Sequence, residues 1–204
     1  MQESTQTQNL TPELIREFVI AGHWDLPTVK AMLAEHPALL DVGNEWAPGD
    51  TETAIQAAAH AGSPRVAEFL LTQGAPLEIC TAAMLGRRVA VEQLLREDPV
   101  RIGTQGAHGI PLMAHAALSG DVALAKMLKE RGAREGSSMA LSNAVTKGHL
   151  EMARWLLEAA EPDLTWKNYQ GKTALELAVE GKHEEIAGLL RAHRGQGTTV
   201  VREA

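Results

Sequence analysis

The side chains of this chain that could do chemistry are one cysteine, Cys80, eight histidines and adjacent carboxylates such as Glu184 and Glu185. A nucleophilic thiol needs a nearby base and a partly exposed, electropositive setting. Cys80 instead lies among small apolar residues of a predicted helix, so we predict a buried, unreactive thiol. No H-E-x-x-H, G-x-S-x-G or glycine-rich phosphate loop occurs in the sequence. We therefore expect no catalytic residues and no enzyme activity.

A metal site would need three or four side chains that converge on one ion. His23 and His60 end two equivalent predicted helices, which should lie on the order of 10 Å apart, too far for shared ligation. The sequence thus predicts no metal ligands and no cofactor. One alternative stays open, in which the groove near Trp46, His60, His108 and His115 serves a small-molecule or metal sensor, or a weak enzyme.

The composition limits the fold and the partners. The 204 residues are 45% apolar but only 3% aromatic, and a core of Ala, Leu, Val, Ile and Met favours close-packed helices over strands. A net charge of -7 argues against nucleic acid or an anionic membrane as the partner. No window approaches the roughly 18 consecutive apolar residues of a membrane span. One cysteine and an N-terminus without a basic start or apolar run predict a reducing, cytoplasmic setting.

A two-helix pattern recurs along the chain. In TAIQAAAHAGSPRVAEFLLTQGA (53–75), Thr53 is suited to cap a first helix of alanines, and a second helix places Val66, Phe69 and Leu70 at i, i+3, i+4 spacing before Gly74 ends it. One such pair cannot bury its apolar face alone, so the pairs must stack. Related copies occupy residues 19–37, 81–99, 116–133, 143–160 and 173–193.

The segments KGHLEMARWLLEAA (147–160) and NYQGKTALELA (168–178) resemble the ankyrin repeat, T-P-L-H-x-A-A-x-x-G-H followed by a V-x-x-L-L helix. The resemblance covers residues 11–193 and implies an all-α solenoid of six helix-turn-helix repeats. Residues 1–10 and 194–204 are expected to be mobile segments outside it. The chain departs from the motif histidine, which is replaced in the last five repeats by Gln56, Cys80, Ala114, Ser142 and Glu176.

Uneven spacing predicts uneven loops between the repeats. Gly74 and Asp98 close neighbouring second helices, and this interval is too short for a full repeat of about 33 residues with its β-turn finger. We therefore predict short or absent fingers in repeats three and five. Residues 41–52, 99–110 and 162–172, which are rich in turn-forming residues, should form the fingers of repeats two, four and six.

The resemblance implies a monomeric scaffold for protein binding, which holds a partner protein on its concave face and finger tips. Met84 and Leu85 lie where the missing finger of repeat three would leave that face open, although they could equally cover bare helix ends. The aromatic rings on the fingers could likewise fold back onto the helices, and a purely structural spacer is a further possibility. The candidate binding residues are Trp46, Glu52, His60, Met84, Leu85, His108, His115, Leu118 and Tyr169.

Overall fold

The computed structural model describes the backbone of residues 10–199 and the side chains of residues 10–193. Its helices follow one another as six pairs, which confirms the predicted all-α solenoid. The helices are α1 Pro12–Gly22, α2 Leu26–Glu35, α3 Ala54–Ala61, α4 Pro64–Thr72, α5 Ile79–Met84, α6 Arg88–Glu97, α7 Leu112–Ser119, α8 Val122–Glu130, α9 Ser137–Thr146, α10 Leu150–Ala159, α11 Ala174–Glu180 and α12 Glu184–Thr199.

The helix starts follow from local side-chain chemistry. Thr53 and Thr173 each accept a hydrogen bond from the backbone N–H three residues on, while the side-chain oxygens of Gln56 and Glu176 accept one from the backbone N–H of the capping threonine. These reciprocal capping boxes satisfy N–H groups that the first turn of a helix leaves free. The cap at Thr53 was predicted from the sequence. Thr11 caps α1 in the same way, with Pro12 at the first helical position.

The first helix of each pair contacts the first helix of the next, so that α1, α3, α5, α7, α9 and α11 form an inner layer. Alanines make this seam narrow, since Ala57, Ala58 and Ala59 are almost fully buried. The helices α1 and α3 approach closely, since a Cβ on Gly22 would lie 2.7 Å from the carbonyl oxygen of Ala54. Larger aliphatic side chains of the second helices, such as Leu70, fill the core behind the seam.

The fingers have the predicted lengths. The finger of repeat two is an antiparallel hairpin of β1 (Gly43–Ala47) and β2 (Asp50–Thr53), with an irregularity between Glu45 and Ala47. The finger of repeat four contains two short 3-10 turns, Pro99–Gly103 and Ala107–Gly109. Only residues 73–78 join α4 to α5, and only residues 131–136 join α8 to α9.

The last helix continues past residue 193, where we expected the repeat domain to end, and reaches Thr199. The remaining residues of the two expected mobile segments, 1–9 and 200–204, lie outside the described part of the chain. Within the described residues, no helix has both the length and the apolar character needed to cross a membrane.

Candidate functional site

Four side chains from separate elements meet beside the finger of repeat two. They are His23, at the C-terminal end of α1, Glu52 on β2, His60 near the end of α3, and His108 in the second 3-10 turn. We call these four residues the histidine–glutamate cluster. The Glu52 carboxylate lies at its centre and is completely buried.

All three imidazoles turn their Nε2 atoms toward Glu52. His60 Nε2 lies 2.6 Å from Oε1, His108 Nε2 lies 3.4 Å from the same oxygen, and His23 Nε2 lies 3.8 Å from Oε2. The ring centroids of His23 and His60 are 4.9 Å apart, and those of His60 and His108 are 5.3 Å apart. The cluster therefore presents three nitrogens and a carboxylate to one small volume.

The opposite nitrogen of two of these rings is engaged by an acceptor. His23 Nδ1 lies 3.1 Å from the carbonyl oxygens of both Val19 and Ile20, and His108 Nδ1 lies 2.7 Å from Asp50 Oδ2. Carbonyl and carboxylate oxygens only accept hydrogen bonds, so each Nδ1 donates a proton. In the neutral rings, the Nε2 atoms of His23 and His108 therefore direct lone pairs toward Glu52.

The Trp46 ring covers the carboxylate and holds it in place. Its indole Nε1 donates a 2.8 Å hydrogen bond to Glu52 Oε2, and the Arg16 guanidinium lies 5.7 Å from the ring centroid. Burial alone would raise the pKa of Glu52, but the hydrogen bond from His60, the positive charge that His60 and His23 carry when they are protonated and the Trp46 hydrogen bond together hold it below its usual value. Glu52 is thus ionised at neutral pH.

His108 is positioned by its own backbone as well as by Asp50. It adopts a φ of 59°, the left-handed region that non-glycine residues seldom occupy. Asp50 Oδ1 accepts the His108 backbone N–H at 3.1 Å while Oδ2 accepts the ring, and the ring hydrogen bond is the main reason that the pKa of Asp50 is lowered. Asp50 therefore ties the finger of repeat four to that of repeat two.

The expected separation of His23 and His60 was wrong. We placed them on the order of 10 Å apart by typical helix spacing, whereas their rings are in contact. The cause is the narrow seam at Gly22, together with side chains that extend from both helices toward the same buried carboxylate. His23 was missed as a site residue for this reason, and Asp50 was missed because its partner His108 lies 58 residues away in sequence.

Four of the candidate binding residues are buried and cannot contact a partner directly, which corrects that part of the prediction: Glu52, Met84, His115 and Leu118. Met84 and Leu118 pack with the core of the first repeats, so they cover helix ends rather than an open face. Trp46, His60 and Leu85 are half-buried, whereas His108 and Tyr169 are exposed.

The centre of the concave face is closed by Lys147, at the end of α9. Its Nζ donates to the carbonyl oxygens of Ala61 and Gly62, at 3.2 and 2.8 Å. A Cβ on Gly62 would clash with the Lys147 and Leu118 side chains, which shows how closely they cover the end of α3. This bridge covers the middle of the concave face, which we expected to be open to a partner.

Cys80 and His115 do not form a catalytic pair. Burial, with a smaller contribution from Glu78, raises the pKa of the Cys80 thiol to about 12, and the thiol is buried as predicted. Burial lowers the pKa of His115 to about 4, although its hydrogen bond to the Pro111 carbonyl oxygen opposes the shift. His115 Nε2 lies 2.9 Å from the position that a Cβ on Gly106 would take, and charge at His60 adds a smaller lowering of its pKa.

One exposed aromatic residue was missed by the sequence argument. Trp24 follows His23 directly, is 70% exposed and takes the position where the other repeats carry glycine or Lys182. The sequence could have indicated Trp24 as a binding residue, because it replaces that glycine. Packing within the chain does not account for an exposed tryptophan at a helix end.

Comparison with known families agrees with the architecture. The family model for ankyrin repeats (3 copies) matches residues 112–201, and the model for the single ankyrin repeat matches residues 50–82. The comparison with curated proteins gives no match. Ankyrin repeats are generally protein-interaction modules and typically lack catalytic activity. Since the two matches together span more than half of a chain whose helix pairs stack as a solenoid, the chain belongs to the ankyrin-repeat family.

Proposed function

We propose that this protein is a monomeric scaffold that binds a partner protein through its finger tips and the exposed ends of its first and last inner helices. The observation that supports this most strongly is Tyr169, the only tyrosine of the chain, which is 95% exposed at the tip of the last finger. A large aromatic ring in that position buries apolar area only when another molecule covers it.

The turn that carries Tyr169 is held rigid by Asn168. The Asn168 side chain accepts hydrogen bonds from the backbone N–H groups of Gln170 and Lys172, both at 3.0 Å, and the Asn168 N–H donates to the Lys172 carbonyl oxygen at 2.9 Å. Lys172 in turn pairs with Glu180 on α11 at 2.5 Å. A ring displayed on a preordered turn costs little conformational entropy on binding.

Exposed apolar side chains lie at both ends of the inner layer. Ile20 on α1 and Val179 on α11 are exposed, as is Trp24, which follows α1. Tryptophan and tyrosine are the residue types most enriched among binding hot spots. The covered centre under Lys147 thus leaves two accessible ends, and we place the partner contacts there rather than at Met84 and Leu118.

The charge and the cysteine complete the proposal. A net charge of -7 favours a protein partner over nucleic acid or an anionic membrane surface. The one cysteine is buried as a free thiol, in keeping with a reducing, cytoplasmic setting.

The test compares the wild-type protein with the Trp24→Ala, Tyr169→Ala double variant. Partners captured from the source cells by the wild-type protein are identified and purified, and their affinity for each variant is measured by calorimetry. We expect the double variant to bind at least about 10-fold more weakly, because the loss of a hot-spot aromatic exceeds about 1.4 kcal/mol.

Val89→Ala is the matched control, because Val89 is an exposed apolar residue on the outer helix α6. It should leave the affinity unchanged. A purified partner that binds the double variant as tightly as the wild-type protein would contradict the proposed surface, and a partner lost with Val89→Ala would move the contacts to the outer layer.

A further inference from the structure

The histidine–glutamate cluster has a composition that protein binding does not require. It is centred on a carboxylate without exposure to solvent, and each ion pair that the structure gives Glu52 is with a histidine, namely His23, His60 or His108. A buried carboxylate is costly unless positive charge compensates it. Within the described chain, that compensation must come from protonated imidazoles or from a cation among them.

We propose that the cluster binds one divalent transition-metal ion of the zinc class, through the Nε2 atoms of His23, His60 and His108 and the carboxylate of Glu52. This site adjoins the helix-end surface proposed for partner binding, since the ring centroids of His23 and Trp24 lie 5.4 Å apart, but its ligands are other side chains. Imidazole nitrogens combined with a carboxylate are a ligand set that zinc and its neighbours prefer, whereas Mg²⁺ and Ca²⁺ prefer oxygen ligands.

The distances suit a single small ion. One ligand atom from each of His23, Glu52 and His60 lies within 4.8 Å of the other two, and His108 Nε2 lies 3.4 Å from the Glu52 oxygen that also contacts His60. Ligands about 2.0–2.2 Å from a tetrahedral ion stand about 3.3 Å from one another. Metal binding would open the 2.6 Å contact between His60 and Glu52 and draw His108, which lies outside the group of three mutually close ligand atoms, toward His23 and His60.

Two of the three imidazole rings are oriented as metal ligands. The Nδ1 atoms of His23 and His108 donate to backbone carbonyls and to Asp50, respectively, which leaves the Nε2 lone pairs directed at the centre of the cluster. A carboxylate behind a ligating histidine fixes its tautomer and strengthens its donor nitrogen. Asp50 holds this place behind His108, so we assign it as a positioning residue.

An ion can reach the site from solvent. The His23 and His60 side chains each retain 17% of their accessible surface and His108 retains 32%, while Glu52 retains none. The site therefore has a closed floor formed by Glu52 and Trp46 and an open side toward solvent, where a water molecule could complete the coordination.

The test is calorimetric titration of the full, metal-free and tag-free chain with ZnCl₂. The wild-type protein should bind one ion. His60→Gln should lower the association constant for zinc by more than about 100-fold, since loss of a metal ligand weakens binding more than loss of a residue that only hydrogen-bonds to a ligand. Asp50→Asn should lower it by about 10- to 100-fold. The control His193→Gln, which removes an imidazole on α12, should bind as the wild-type protein does.

Two results of the titration would overturn the proposal. The first is that the wild-type protein does not bind zinc. The second is that His60→Gln and Asp50→Asn leave the association constant unchanged, because the ion would then lie elsewhere. X-ray absorption of the wild-type zinc complex gives a readout that does not depend on folded variants. We expect a shell of nitrogen and oxygen at about 2.0–2.2 Å, and a sulfur shell at about 2.3 Å would exclude this ligand set.

Discussion

Lys147 Nζ lies 2.8 Å from the carbonyl oxygen of Gly62, across 85 residues of sequence. The contact joins the end of α9 to the end of α3 and passes over the repeats between them. The last carbonyls of a helix carry partial negative charge and have no partner within the helix. Lys147 supplies that partner, and the inner layer is thereby closed at its centre.

Lys147→Met should destabilise the fold by about 1–2 kcal/mol, because it removes charged hydrogen bonds to two carbonyls while it keeps most of the apolar stem. Chemical denaturation at neutral pH measures this change. The control is Lys126→Met on the exposed face of α8, which should change the free energy of unfolding by less than about 0.5 kcal/mol. Equal effects of the two substitutions would show that the bridge contributes nothing.

Leu70 and Leu156 test the packing of the second helices, since both side chains are at most 1% exposed. Leu70→Ala and Leu156→Ala should each lower the free energy of unfolding by roughly 2–5 kcal/mol, through lost burial and the cavity left behind. Denaturant titration gives both values. A loss below about 0.5 kcal/mol at either position would mean that the residue does not lie in the core.

Lys182 occupies the left-handed region, with φ 57°, at the position where the neighbouring repeat has Gly148 with φ 73°. Lys182→Gly should stabilise the protein by up to about 1 kcal/mol, because glycine adopts this backbone conformation without steric cost. The greater conformational freedom of glycine in the unfolded chain offsets part of that gain. The control Lys182→Ala keeps the Cβ and should give no gain. Thermal unfolding compares the two, and a Lys182→Gly variant no more stable than Lys182→Ala would contradict the argument.

His115 should make stability depend on pH. Its pKa falls from 6.5 to about 4 in the folded protein, chiefly through burial, so the unfolded chain binds the proton first as pH falls. The contribution of His115 to the free energy of unfolding is complete at a pH above its pKa in the unfolded chain. It declines as pH falls toward its pKa in the folded protein, by roughly 2 kcal/mol between neutral pH and about pH 5.

His115→Asn removes this titration and keeps an amide donor near the place of Nδ1. The difference in free energy of unfolding between the wild-type protein and this variant should therefore shrink as pH falls from neutral to about pH 5. Parallel pH profiles for the two proteins would show that His115 does not stay neutral in the fold.

Much of the fold could be predicted because the determinants are local. Thr53 and Thr173 cap helices through residues three positions away, and Leu70 faces the core by helical periodicity. The short fingers of repeats three and five follow from chain length alone, since residues 73–78 and 131–136 leave no room for longer ones.

The site could not be predicted because it depends on contacts between distant residues. Glu52 is an acidic residue in a turn-rich segment, and nothing local indicates that it is buried beneath Trp46. The meeting of His23 with His60 depends on the close approach at Gly22, which typical helix spacing does not convey. The burial of Met84 also depends on distant residues. It packs in one cluster with Leu118, and the Leu118 and Lys147 side chains cover the neighbouring end of α3.

A crystal structure of the zinc-loaded protein shows directly whether the histidine–glutamate cluster binds the ion. Anomalous diffraction at the zinc edge should show one strong peak about 2.0–2.2 Å from the Nε2 atoms of His23, His60 and His108 and from a Glu52 oxygen. A peak only at other side chains, or imidazoles that keep their direct contacts to Glu52 with no ion between them, would contradict the proposed metal site.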